Sequence, residues 1–96
     1  MFNRGILFSL IFLVSCQMSP PIQEMSDARQ AIKAARDAGA ETYATQALDT
    51  AERRLDSAAN LLVGGDYEGS RDAAIDARRE AIRARLLALE QQESTE

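Results

Sequence analysis

Ala74, Ala77, Ala81, Ala84 and Ala88 recur at alternating spacings of three and four. On a helix turning about 100° per residue, that rhythm lays one stripe along one side. Alanine reaches no further than a single methyl, so an element packed on this stripe approaches closely, nearer than a leucine seam would permit. The spacing predicts a long helix over residues 67–91 whose seam faces a second helix. The larger apolar residues Ile75, Ile82, Leu86 and Leu89 flank the seam and are assigned to the same thin core, with Ile32, Leu48, Leu55 and Leu62 opposite. Leu61 and Leu87 then project from other faces of their helices. They are candidates for a contact surface.

The partner helix is expected over residues 42–63, where Leu48, Ala51, Leu55, Ala58 and Leu62 keep the same rhythm. Gly64-Gly65 follows, and glycine tolerates the positive φ that a chain reversal demands. Asp66 is the next N-cap, with Glu68 in the favourable first turn. A shorter helix should start at Ser26-Asp27, run to Ala38 and stop at Gly39. No segment alternates polar and apolar residues over four or more positions, so no strand is expected. The fold class is all-α: a small helical bundle, with a short first helix packed on a long antiparallel helical hairpin. The helical domain spans residues 26–91, and residues 92–96 form a polar, disordered tail.

The N-terminus has a different character. A short basic start, ending at Arg4, precedes an apolar run over residues 6–14, and Leu13-Val14-Ser15-Cys16 closes it. These are the parts of a secretory signal, and the closing four residues resemble the lipobox of bacterial lipoproteins. That resemblance implies cleavage between Ser15 and Cys16, removal of residues 1–15, and acylation of the Cys16 thiol, with palmitate among the chains. A transmembrane anchor is the competing reading, yet the apolar run is about half of the roughly 20 residues a span needs. Cys16 is the one cysteine of the chain, so it has no disulfide partner within it. Gln17, rather than Asp, follows it; by resemblance to Gram-negative lipoproteins this points to the outer membrane, periplasmic face. Residues 16–25 form the lipidated start and an extended tether. Pro20 and Pro21 remove two amide donors and disfavour helix at Ser19.

Composition then narrows the function. The 96 residues carry net charge −4, which makes nucleic acid a poor partner and leaves membrane attachment to the lipid. With no His, no Trp and the one Cys committed to lipid, the usual zinc ligands and His-dependent nucleophile arrangements are missing. No catalytic, cofactor or metal residues are assigned, and the chain is not expected to be an enzyme. Asp72, Asp76 and Glu80 recur every four residues, but Arg79 and Arg83 stand three residues beyond Asp76 and Glu80 and should make a solvated, ion-paired face. Tyr43 and Tyr67 are expected to cover the two ends of the bundle. Ten Arg stand against one Lys, and Arg78, Arg79, Arg83 and Arg85 group in the last helix. The planar guanidinium suits carboxylates and phosphates, so these four join Leu61 and Leu87 as residues available to a partner.

Ala28-Arg29-Gln30-Ala31-Ile32, then Ala38-Gly39-Ala40-Glu41-Thr42-Tyr43-Ala44, then Gly65-Asp66-Tyr67 resemble a family of alanine-rich bacterial lipoproteins, domain of unknown function 4398. The resemblance covers residues 26–88 and implies a short helical domain with no assigned reaction. Some members continue into a peptidoglycan-binding domain, which this sequence does not contain. Gly65-Asp66-Tyr67 with Ser70, Ala74 and Ala77 is also similar to a tetratricopeptide hairpin. However, no proline ends the helix near Ile82, and solenoids need about three repeats.

Three function classes follow. The first is a membrane-anchored, non-enzymatic interaction or structural module of the cell envelope, with an envelope protein, peptidoglycan or a second copy as partner. The second is a cell-wall-associated linker or tetratricopeptide-like adaptor. A linker of the murein-lipoprotein kind would need a C-terminal Lys, and the sequence ends Ser94-Thr95-Glu96. The third class, an enzyme, has no catalytic constellation behind it.

Overall fold

The computed structural model describes residues 19–95, and they form four helices without a strand: α1 (Ile22–Asp37), α2 (Ala40–Tyr43), α3 (Thr45–Val63) and α4 (Tyr67–Ser94). The signal segment, the lipobox and Cys16 lie outside the described residues.

Pro21 is the N-cap of α1, which therefore begins one turn before Ser26. Proline is tolerated at a helix start because the amide it lacks would have no intrahelical acceptor there. Met25 donates its amide to Pro21 O at 3.1 Å and is buried among Ala58 and Ala74. Burying this thioether rewards the extra turn. Residues 22–25 thus belong to the domain and not to the tether.

Gly39 has φ 92° and joins α1 to α2. Its amide bonds back to Arg36 O, while its own carbonyl accepts from Thr42 and Tyr43. The left-handed backbone favours glycine here, and a Cβ would also meet Gln92 Nε2 at 2.8 Å and the Tyr43 ring, so the Gln92 amide would have to shift. Gln92 Nε2 donates to Ala38 O, tying the far end of α4 to this junction. For that reason α4 runs to Ser94, and the tail expected from residue 92 is helical over residues 92–94.

The single helix expected over residues 42–63 is interrupted at Ala44, whose φ −146° and ψ 48° lie outside the helical region. The break lets Ala40, Ala44 and Ala47 all turn inward. Thr45 Oγ1 donates to Glu41 O at 3.1 Å, which gives a carbonyl beside the break a partner.

At the α3–α4 corner only one glycine is in a left-handed conformation. Gly64 has φ −76°, and Gly65 has φ 85°. Asp66 N bonds to Leu61 O and Gly65 N to Leu62 O, the paired bonds of a Schellman motif. Asp66 then caps α4, its Oδ1 accepting from Gly69 N at 2.9 Å.

α4 is the spine. Met25 lies beside Ser70, and Ala38 beside Gln92, so α1 runs parallel to α4. Ala58 lies beside Ser70, and Arg54 beside Asp76, so α3 runs antiparallel to it. The expected seam is present: Ala74, Ala77, Ala81, Ala84 and Ala88 are all fully buried. Ser70 extends it by one position and donates its hydroxyl to Ala58 O at 2.7 Å, so the one polar side chain in the seam is satisfied. Opposite the seam stand Ala28, Ile32 and Ala35 of α1 and Ala47, Leu48, Ala51 and Ala58 of α3. Leu55 and Leu62 pack at the margins.

Candidate interaction surface

The larger apolar residues of α4 are not in the core. Ile82, Leu86 and Leu89 are 43%, 57% and 40% exposed. Counting at about 100° per residue, they and Ile75 centre some 130° around the helix from the alanine seam. The expectation that they fill the core is corrected, and the reason is angular. The alanines take the face of α4 turned to α1 and α3, where Ile32 and Leu48 reach in from the facing helices, and side chains about 130° away point elsewhere.

Leu87 is corrected in the opposite sense. It does not project freely but packs half-buried against the main cluster, beside Tyr43 and Arg83. Leu61 is also half-buried and borders the shallow groove between α3 and α4, together with Ile75, Ala73, Asp72, Asp76 and Arg79.

Arginines bracket the outward row. Arg78 lies on its α1 side, where it borders a depression with Ile82, Gln30 and Ala31. Arg83 lies on the α3 side. All four of Arg78, Arg79, Arg83 and Arg85 are exposed, and between positions 78 and 85 the single acidic residue is Glu80. Arg83 Nη1 meets Glu80 Oε2 at 3.5 Å. Asp76 does not pair with Arg79 as its spacing suggested; Arg54 Nε of α3 takes it at 2.9 Å, bridging the two helices. Among the described residues no ion pair engages Arg78, Arg79 or Arg85. The result is a ridge of Ile82, Leu86 and Leu89 with guanidinium groups along both flanks.

The other sites weighed from sequence are plain surface. Among the described residues no three carboxylate or thiol groups converge on a metal position. Tyr43 is exposed with its ring over Gly39, and Tyr67 is half-buried at the opposite end. No described helix is long and apolar enough to cross a membrane. Two features had no expectation attached: Ser70 as part of the seam, and Arg71, which joins α4 to the N-terminal residues. Ser70 was visible as a small residue in the same three-four rhythm, whereas Arg71 has partners 47 and 52 residues away and no local signal.

The fold defines a class, an all-α domain of closely packed alanine-rich helices joined at two left-handed glycines. The sequence profile of the family described as domain of unknown function 4398 matches residues 23–96, and the chain belongs to that family. No curated protein and no solved structure matches the chain.

Proposed function

We propose that the protein is a lipid-anchored lipoprotein of the cell envelope whose helical domain is a non-enzymatic interaction module, with the outward ridge of α4 as its docking face. The anchor rests on Leu13-Val14-Ser15-Cys16, and the outer membrane on Gln17. The observation that carries the docking face is the row Ile82, Leu86, Leu89, exposed on a helix whose other side is fully packed. Ordinary surfaces carry isolated apolar residues; a contiguous row rimmed by charge has the form of a contact site. Four arginines around it favour an acidic, amphipathic segment of an envelope protein, whose apolar side would meet the row while its carboxylates take the guanidiniums. A second copy fits less well, since the same arginines would face each other across a parallel pairing.

Two measurements test this. Cys16→Ser should abolish incorporation of labelled fatty acid and accumulate the uncleaved precursor; normal processing would contradict the anchor. A photo-crosslinking residue at Leu86, in the acylated protein within its native membrane, should give a discrete protein adduct that is absent at Asn60 and lost when Arg78 and Arg79 are changed to Glu. An adduct with a second copy would reassign the face to self-association, and one with glycan strands to peptidoglycan. No adduct, or one indifferent to the arginines, would contradict the docking face.

A further inference from the structure

The end of the domain opposite Gly39 collects three features. α1 and α4 begin there and α3 ends there, so Ile22, Val63 and the Gly64-Gly65 corner lie at one end of the bundle. Ile22 is 69% and Val63 89% exposed, two β-branched apolar residues offered to the surroundings. Arg71 then reaches back along α4: its Nη2 donates to Ser19 O at 3.0 Å and its Nε to Glu24 Oε1 at 3.2 Å. Pro21 is fully buried, and Ile22 N bonds to Pro20 O at 2.9 Å. The chain from Ser19 onward is therefore held on the domain instead of swinging as a tether.

This sets a distance. Cys16 and Ser19 are three Cα–Cα steps apart in the chain, which reach at most about 11 Å. The headgroup layer of each leaflet is roughly 5–8 Å deep outside the hydrocarbon. With the acyl chains of Cys16 in the bilayer, Ser19 cannot leave the immediate vicinity of the headgroups, and the same end of the domain must accompany it.

We propose that the Ile22–Val63 end is a lipid-contacting surface, seated at the headgroup boundary by the Arg71 clasp on Ser19. The inference rests on the acylation of Cys16 advanced above. Asp66 and Glu68 lie on this end, so the contact draws on apolar contact and tethering and not on attraction to anionic lipid. Seated this way, α4 rises from the membrane. Ile82 stands about 22 Å and Leu89 about 33 Å along the helix from Tyr67, so the ridge stands clear of the headgroups.

The native thiol is consumed by lipid, so single spin labels can be placed through Val63→Cys and, separately, Leu86→Cys in the full acylated chain. Each protein is reconstituted into vesicles of phosphatidylethanolamine and phosphatidylglycerol after intact-mass confirmation of acylation. The label at 63 should be several-fold less accessible to a water-soluble nickel chelate than the label at 86, and Arg71→Ala with unchanged helix content should raise the accessibility at 63 at least twofold. Replacing phosphatidylglycerol by phosphatidylcholine should leave the ratio unchanged. Equal nickel accessibility at 63 and 86 in acylated protein would overturn the lipid contact alone. An unacylated Cys16 would overturn the anchoring and this inference together.

Discussion

One face of α4 is built from methyl groups and the other from Ile, Leu and Arg, and the smaller residues are the ones that are buried. Ala74, Ala77, Ala81, Ala84 and Ala88 are at zero exposure, while Leu86, with the larger apolar surface, stands in solvent. The contrast shows that size does not decide which apolar residue becomes core. Periodicity decides which face is presented, and a face of alanines leaves room for Ile32 and Leu48 of the facing helices while the large residues of α4 itself lie on another side. The seam defines the fold, and the opposite face is left for another purpose.

Filling the seam should produce the largest effect. Ala81→Leu places three further carbon atoms where backbones meet and should cost roughly 3 kcal/mol or prevent folding, seen as a fall in the urea midpoint. A loss under about 0.5 kcal/mol would mean that the helices are not in close contact there.

The glycine junctions come next. Gly39→Ala combines φ 92° with a close approach to Gln92 and should cost about 2 kcal/mol. Gly65→Ala has φ 85° but open space, and should cost about 1 kcal/mol. Gly64→Ala, at φ −76° and with ordinary contacts, should be neutral or slightly stabilising. Thermal melts of the three variants should fall in that order. Equal effects at 64 and 65 would contradict the Schellman geometry.

Smaller again is the effect of the surface pairs. Arg54→Ala removes the 2.9 Å contact with Asp76, but both side chains are about half exposed, so a few tenths of a kcal/mol is expected. Salt titration of the melting midpoint should barely distinguish it from the parent.

The helices and their hinges were legible in the sequence because glycine and alanine carry the signal locally. Gly39 and Gly65 mark the two left-handed positions, and the three-four alanine rhythm marks the seam. What misled was assigning Ile75, Ile82, Leu86 and Leu89 to the core with the alanines; the same angular count that defines the seam places Ile82, Leu86 and Leu89 on the far side. Other features were not legible. The break at Ala44 has neither Gly nor Pro to announce it, the extra turn at Ile22 depends on Met25 finding Ala58 and Ala74, and the Arg71 clasp joins residues far apart in the chain. These depend on tertiary contact, and local sequence does not encode it.

α4 has one packed and one presented face, and a single variant separates the two. Ile82→Gln, Leu86→Gln and Leu89→Gln together keep good helix formers while removing the ridge. Urea unfolding of the triple variant should give a stability within about 1.5 kcal/mol of the parent, because surface changes rarely exceed about 0.5 kcal/mol each. If those side chains are core, three large losses of roughly 2 kcal/mol or more each would unfold so small a domain, and a triple variant without a cooperative transition would contradict the account.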